Sequence, residues 1–493
     1  MNLVKVSVTS LHVLMNLEKG TLMSAFLTNS TRRVRSWQPH SFQKRGVQLG
    51  VSQACLGLLF DPGMGKTTTA YAILSILLKQ SLIKRALVIA PLRVVYNVWP
   101  RQCKEWKEFE HLRVGVLHGP GKDNVLAHAE SYDILCINPE GLDWLTGAVH
   151  TKGTKLDAAR VKMLREIFDY LVVDESTKFK DSGTNRFHVL RKLIPLFRRR
   201  MVLTGTIVPN GLLDLFGQIY ILDEGAALHP YITRYRNEYF YPSGFGGYTF
   251  LPQPDAEARI VKKISPLVLR LEAKDYLELP ELTNDDRYLE FPDAKVKKIY
   301  TAMENELMAD IADGRIVAAN AAVASSKCRQ ITNGGLYTNA PEWQKLHTVK
   351  LDALRDLIEE LSGQPLLIAY EFNFDWEMLE KLKIPRIGVS PKKDSMLIQA
   401  FRSGALPALM GHPESISLGL DGLQDNCSHI CWYGIPWNLL HYKQTIERVV
   451  RQGSKAKRVI NHRLIMRDTV DERVLAVLGQ KDKTQRDFLE LLK

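Results

Sequence analysis

Residues 61–67 read Asp-Pro-Gly-Met-Gly-Lys-Thr, and this stretch with its flanks constrains the chain more than any other. Upstream, Cys55–Phe60 is a short apolar run. Downstream, Ala70, Ile73, Leu74, Leu77 and Leu78 recur at helical spacing. A glycine-rich turn joining a buried strand to an amphipathic helix is the context of a phosphate-binding loop. Gly63 and Gly65 let the backbone approach an anion, and the helix N-terminus points its free N–H groups at it. Lys66 is then placed to reach the β- and γ-phosphates of a nucleotide, and Thr67 to hold Mg²⁺. The strict motif opens with glycine where this chain has Phe60.

A second half of such a site should be a carboxylate at the end of a buried strand. Leu171-Val172-Val173-Asp174-Glu175 supplies one. Asp174 would position the metal, largely through water, and Glu175 would polarise an attacking water as general base.

Around these motifs the sequence alternates apolar runs with helical patterns. Expected strands are Cys55–Phe60, Ala86–Ala90, Ile134–Ile137, Tyr170–Val173 and Met201–Leu203. Fully apolar strands separated by amphipathic helices predict an α/β fold with a parallel sheet covered on both faces. The alternation stops at 229–256, which holds five tyrosines and little periodicity. A helix is expected over Ala256–Leu271, then an extended connector at Leu279-Pro280-Glu281-Leu282. After a helical region near 293–330 a second series begins. Its expected strands are Pro365–Tyr370, Arg386–Val389, Leu406–Met410, His429–Tyr433 and Arg458–Ile465, and a helix runs from Val470 to Leu492. The organisation expected is an N-terminal segment (1–30), a first lobe (31–225), an insertion or linker (226–290), a second lobe (291–470) and a C-terminal helix (471–493).

The balance of 66 basic against 54 acidic residues gives a net charge of +12. Such an excess directs attention to polyanions, since neutralising phosphates releases counterions. Hydrophobic residues at 45% and charged residues at 24% exclude a largely disordered chain. No apolar run reaches the roughly 18 residues of a membrane span, and Glu18 and Lys19 interrupt the one weakly apolar N-terminal stretch. Six cysteines are too few for a disulfide scaffold, so a cytoplasmic location is expected.

With these motifs in order, the chain resembles superfamily-two helicases of the Swi/Snf-like group, in look closest to bacteriophage versions, from about Trp37 to Leu475. Gln43 resembles the group's adenine-reading glutamine, so the resemblance assigns ATP binding to Gln43, Gly63, Met64, Gly65, Lys66, Thr67 and Thr68. Ala90-Pro91-Leu92, with Trp99 and Trp106, and Asn138-Pro139-Glu140 are similar to loops that touch the nucleic-acid backbone. Pro91, Arg93, Asn138, Pro139 and Trp437 are thus implied DNA contacts. Leu203-Thr204-Gly205-Thr206 resembles the motif coupling nucleotide state to lobe arrangement. Gly419 and Asp421, where the family has Gly-Leu-Asn, and Gln444 are implied in the same coupling. Arg329-Gln330 near Asn333-Gly334 resembles a segment entering the second lobe. Thr177 stands where the family usually has histidine, and Ser454 where it has glutamine. The implied fold is two RecA-like lobes, and the implied cofactors are ATP and Mg²⁺.

Gln444, Arg448 and Arg451 are spaced by four and three, which predicts one helical face, with Ile446, Val449 and Val450 packing on the other. Arginine suits contact with phosphate in a cleft, so Arg448 and Arg451 are expected to act on the nucleotide beside Lys66 and Glu175. Cys427, His429 and Cys431 suggest zinc, but they fall on an apolar strand without a second ligand pair, so core positions are expected. Arg198-Arg199-Arg200 fits either DNA or a solvated helix end, and the tyrosines of 231–248 either base stacking or an aromatic-packed insertion.

The function expected is ATP-driven translocation along duplex DNA. A strand-separating helicase or a restriction-type motor subunit is the alternative among enzymes, and a nucleotide-gated DNA-binding module with little turnover the alternative outside them. No nuclease, chromatin-reading or zinc module is visible, so a nuclease or a replication or repair factor would be a separate protein partner.

Overall fold

The computed structural model describes residues 34–243, 249–312, 318–339, 341–417 and 422–492. They form two compact units, one of residues 34–278 with 479–492 and one of residues 279–478.

The first unit is built on a seven-stranded parallel sheet. Its strands are β1 (Cys55–Phe60), β2 (Ala86–Ile89), β3 (Val114–Val116), β4 (Ile134–Ile137), β5 (Tyr170–Asp174) and β6 (Arg199–Leu203), ordered β3-β4-β2-β5-β6-β1, with one later strand beside β1. Every residue of β2, β4 and β5 is buried, as apolar strands covered on both faces require. The helices that matter to the site are α1 (Ser41–Ser52), α2 (Lys66–Lys79), α3 (Leu92–Asn97), α4 (Trp99–Glu105), α5 (Leu215–Asp223) and α6 (Ala256–Ile264). α2 is buried almost all round from Thr68 to Leu77, so it lies within the unit rather than on its surface.

The tyrosine-rich stretch forms a small antiparallel hairpin, β7 (Phe240–Ser243) with β8 (Thr249–Pro252); residues 244–248 lie outside the described residues. Tyr235 and Tyr239 are fully buried, which favours aromatic packing for these two, while Tyr231 and Tyr241 are exposed. The helix expected to continue to Leu271 ends at Ile264. Residues Val268–Leu271 are instead strand β9, parallel to β1. Ser265-Pro266 breaks the helix. Residues 226–278 therefore complete the first unit.

The second unit carries a five-stranded parallel sheet ordered β10-β16-β15-β13-β14. These strands are β10 (Glu281–Leu289), β13 (Leu366–Ala369), β14 (Ala408–Gly411), β15 (His429–Trp432) and β16 (Arg458–Met466), with a separate β11–β12 hairpin (Gly335–Asn339, Glu342–Lys345). Leu367 and Ala369 point into one core and Leu366 and Ile368 into the other, the two-residue period of a covered sheet. The connector expected at 279–282 opens β10, which pairs with β16 over nine residues. The strand expected at Arg386–Val389 is absent; a single bridge joins Arg386 to Met410. Helices α7 (Ala294–Ala312), α8 (Ala318–Asn333) and α11 (Val470–Glu490) fall in the expected helical regions, α9 (Val349–Leu361) lies where no element was expected, and α10 (Leu439–Ile446) precedes the arginines. Val470, Val474 and Leu478 of α11 belong to the core of the second unit, whereas Phe488 and Leu489 belong to that of the first.

Among the described residues no helix is long and apolar enough to cross a membrane, and no cluster of three His, Cys, Asp or Glu could hold a metal. Cys427 and Cys431 are buried, and burial pushes both thiols up to about 12, as core positions demand.

Candidate active site

The phosphate loop runs from the end of β1 to the start of α2. Gly65 caps the helix at φ 75° and ψ 40°, the left-handed region that glycine enters without strain. A Cβ there would also lie 2.4 Å from Gln43 Nε2. The hydroxyls of Thr68 and Thr69 donate to Gly65 O at 2.8 and 2.9 Å, fixing the first turn. Lys66 Nζ donates to Phe60 O at 2.8 Å, so its ammonium lies against the loop's own backbone. Gln43 is buried with both ends of its amide engaged: Nε2 donates to Met64 O at 3.1 Å, and Oε1 accepts from His40 N at 2.9 Å. It braces the loop.

Asp61 opens that loop, and a residue outside the expected motifs holds it. Arg270, on β9, donates to Asp61 Oδ1 at 2.7 Å and to Leu59 O at 3.0 Å, while Ala273 N donates to Asp61 Oδ2 at 3.0 Å. A signal existed: an arginine inside the apolar run Val268–Leu271 has to be paired if the run is buried.

Asp174 ends β5, wholly buried beside β2 and β6. Burial, reinforced by the neighbouring charge of Glu175, pushes its carboxyl up to about 7; the Trp99 hydrogen bond and Lys66 pull it back down. Glu175 is half-buried and takes φ 56°, a left-handed conformation that a branched-free carboxylate side chain adopts only under constraint. Its strain turns the chain out of the strand into the 3₁₀ turn Ser176–Phe179.

Gln218 of α5 is fully buried and joins two motifs. It accepts from Ser176 Oγ at 2.8 Å and donates to Ile207 O at 2.6 Å and Asp214 O at 2.8 Å. Thr204 and Thr206 close on each other, Oγ1 of Thr204 donating to Thr206 O at 2.8 Å. Gly205 faces the phosphate loop, where an added Cβ would stand 3.1 Å from Pro62. The carboxylate strand end, the Thr204–Thr206 turn and the phosphate loop thus form one hydrogen-bonded and packed unit. α5 reaches it only because Gly217 has no side chain: a Cβ there would fall 2.1 Å from Phe179 O.

Pro91 caps α3 at the end of β2, and Asn138 caps the turn containing Pro139 at the end of β4. Arg93 sits in the first turn of α3. All these loops leave the carboxyl edge of the same parallel sheet, the edge at which α/β folds bind ligands.

The profile of the SNF2-related domain matches residues 9–335, about two thirds of the chain. The chain belongs to the SNF2-related family. A protein of Acyrthosiphon pisum secondary endosymbiont phage 1, putative protein p41, is 30% identical over 448 residues, 87% of this chain and 93% of that protein. An uncharacterized ATP-dependent helicase of Mycoplasma pneumoniae is 24% identical over 468 residues, 90% of this chain but 41% of the helicase. Human DNA excision repair protein ERCC-6-like is 27% identical over 179 residues, 34% of this chain and 13% of that protein. The Sulfolobus solfataricus SWI2/SNF2 ATPase core in complex with dsDNA is similar over 92% of this chain and 94% of that one, at 21% identity and a TM-score of 0.43. The chain spans nearly all of the phage protein and a minor part of the other two relatives.

In this Swi/Snf-like ATPase, the second unit holds most of the remaining expected residues. Gln444 is buried on α10, but that helix ends at Ile446, so Arg448 and Arg451 stand on the turns beyond it and not on one helical face. The Arg448 guanidinium donates through Nε to Ser417 O at 3.1 Å. Trp437 is exposed after β15, and Arg329 pairs with Glu371 at 2.7 Å. Gly419 and Asp421 lie outside the described residues. Thr177 is buried within the turn after Glu175. The basic cluster is partly structural: Arg199 donates to Val51 O and Gln53 O, each at 3.0 Å, closing the C-terminus of α1.

A hard cation fits the donors present in the first unit. Thr67 offers a hydroxyl in the first turn of α2, and Asp174 a buried carboxylate. Both are oxygen donors of the kind Mg²⁺ takes, with the remaining positions left to nucleotide and water.

Proposed function

We propose that this chain hydrolyses ATP, with Mg²⁺, to move along duplex DNA. The observation that carries the proposal is the shared carboxyl edge of the first sheet, where the phosphate loop, Asp174–Glu175 and the Thr204–Thr206 turn stand beside the Pro91–Arg93 and Asn138–Pro139 loops. One rigid layer therefore carries both nucleotide chemistry and the surfaces expected to touch DNA.

In this reading Lys66 and the N–H groups of α2 cradle the phosphates, and Thr67 and Asp174 hold the cation, which would neutralise phosphate charge. Gln43 is seated where its amide could be released from Met64 to read adenine. Glu175 takes a proton from the attacking water. Arg448 and Arg451 supply positive charge to the γ-phosphate. Pro91, Arg93, Asn138, Pro139 and Trp437 follow the DNA backbone, and Thr204, Gly205, Thr206, Gly419, Asp421 and Gln444 relay nucleotide state. Contacts of this kind position without reading sequence. A net charge of +12 supports the polyanion partner.

The test is ATP turnover measured side by side with duplex, single-stranded and forked DNA and with RNA. Stimulation by duplex DNA is the expected result. Turnover indifferent to every nucleic acid would overturn the motor reading.

A further inference from the structure

Trp99 makes two hydrogen bonds, one to each half of the nucleotide site. Its indole Nε1–H donates to Asp174 Oδ2 at 3.0 Å, and its backbone carbonyl accepts from the Tyr71 hydroxyl at 2.5 Å. Asp174 terminates β5, and Tyr71 lies on α2, the helix that begins at Lys66. The Trp99 side chain is fully buried, with the Tyr71 ring 4.9 Å away and tilted by 47°, and Tyr71 stacks in turn on Phe109. An indole packed this closely has one available pose, so its N–H points at the carboxylate by construction.

The segment that delivers Trp99 is as informative as the contact. Val94 N and Val95 N both donate to Pro91 O, at 2.8 and 3.0 Å, so α3 starts rigidly from the Pro91 loop. Val98 N bonds to Val94 O and Gln102 N to Val98 O, which makes α3 and α4 nearly one helix. Pro100 interrupts it, since proline has no N–H for the ladder and crowds the preceding turn. Trp99 stands at this break. α3 spans about 9 Å, so a shift of Arg93 or Pro91 is transmitted along one short stiff element to the indole.

We propose that Trp99 is a positioning residue for Asp174, and that α3–α4 is the lever by which contact at the Pro91–Arg93 loop sets the geometry of the cation-holding carboxylate. This rests on the proposed function for what touches the loop, but the Trp99–Asp174 link stands on the first unit alone. A buried carboxylate with Glu175 beside it needs a donor to hold one orientation, and the indole is a side-chain donor that reaches Asp174. Partners of this outer kind typically contribute about 10–100-fold to metal affinity.

Two variants separate the hydrogen bond from the packing. Trp99→Phe keeps an aromatic ring and removes the donor. Should it fail to fold, benzothienylalanine introduced at position 99 preserves the bicyclic shape and replaces only the N–H. Mn²⁺ serves as the probe, its binding in the presence of ADP followed by electron paramagnetic resonance on the full chain. The expected result is Mn²⁺ affinity lower by about tenfold, with nucleotide affinity in the absence of metal and DNA affinity unchanged. Mn²⁺ affinity equal to the parent's in the benzothienylalanine protein would overturn the link to Asp174. The lever is read separately, as the ratio of turnover with and without duplex DNA. That ratio should collapse in either variant, and a ratio equal to the parent's would overturn the lever. A parent showing no stimulation by DNA would remove the motor reading and the lever with it, while the Mn²⁺ measurement would still decide the link.

Discussion

Arg270 holds Asp61 at 2.7 Å across two adjacent parallel strands, with a side chain that is itself only 3% exposed. The pair fixes the first residue of the phosphate loop from beneath. Removing the arginine would leave the buried Glu272 carboxylate to Lys274 alone of its two ion-pair partners, at 2.8 Å, and leave Leu59 O and Leu271 O without this donor. Breaking a buried pair from one side costs about 3–5 kcal/mol; Asp61 is partly solvated, so Arg270→Ala should cost about 3 kcal/mol. A thermal shift together with weaker nucleotide binding checks it, and an unchanged melting temperature would count against the brace.

Gly217 sets how closely α5 approaches the turn after Glu175. Gly217→Ala puts a methyl group into Phe179 O, and backbone cannot rotate out of the way as a side chain can. The expected loss is about 3 kcal/mol or more. In whatever fraction folds, turnover should fall because Gln218 shifts with the helix. Unfolding curves and kcat on the purified variant would show both effects or neither.

Lys66 and Glu175 should separate binding from chemistry. Lys66→Ala removes a charged donor to phosphate, and about 10–100-fold in ATP affinity is expected to go with it. Glu175→Gln keeps the size of the side chain and removes the base, so ATP still binds and hydrolysis stalls. Nucleotide titrations with single-turnover assays distinguish the two, and normal hydrolysis by Glu175→Gln would take that residue out of the mechanism.

Arg451 stands on a turn rather than a helix, and a guanidinium acting on the γ-phosphate stabilises mainly the transition state. Arg451→Ala should therefore lower DNA-stimulated kcat by about 10³ while ATP affinity stays near the parent's. Arg448→Ala should show the same kinetic split with an added loss of stability, because Arg448 also holds Ser417 O. Parent rates from both variants would exclude these arginines from the reaction.

Burial holds His347 neutral, pushing its imidazole down to about 4, with Nε2 donating to Ile331 O at 2.8 Å and Nδ1 accepting from Val349 N. An unfolded histidine titrates near 6.5, at about the ordinary value. Between those two values the unfolded chain binds more protons, so this contribution to stability is complete above the window and is lost as the pH falls through it. The melting temperatures of the parent and of His347→Gln should thus converge between pH 7 and pH 5. A gap independent of pH would contradict the buried neutral form.

The strands legible in the sequence were mostly short apolar runs: β1, β2, β4, β5, β13 and β15 came close to their observed limits, and so did the longer, mixed β16. β9 was missed because Val268–Leu271 carries Arg270 and follows an amphipathic helix without a visible gap, so its strand character depends on β1 and on the Asp61 partner. β10 was missed for the opposite reason. It is a polar edge strand whose Asp285, Asp286 and Arg287 are paired to His462, Arg463 and Glu360, partners distant in sequence. The chemistry of the phosphate loop and of Asp174–Glu175 is local and could be read directly. Gln218, Arg270 and Trp99 act through contacts that only the folded sheet creates. The arginine spacing predicted a helical face, and the chain leaves the helix first, because four-and-three spacing says nothing about where α10 stops.

Glu175 occupies a backbone conformation that glycine or asparagine would hold at lower cost, by roughly 1–2 kcal/mol. In the proposed mechanism, heat resistance and turnover therefore pull in opposite directions at this one position. A library of variants ranked by melting temperature alone would enrich glycine there and discard the base, delivering sturdier chains that bind ATP and leave it intact.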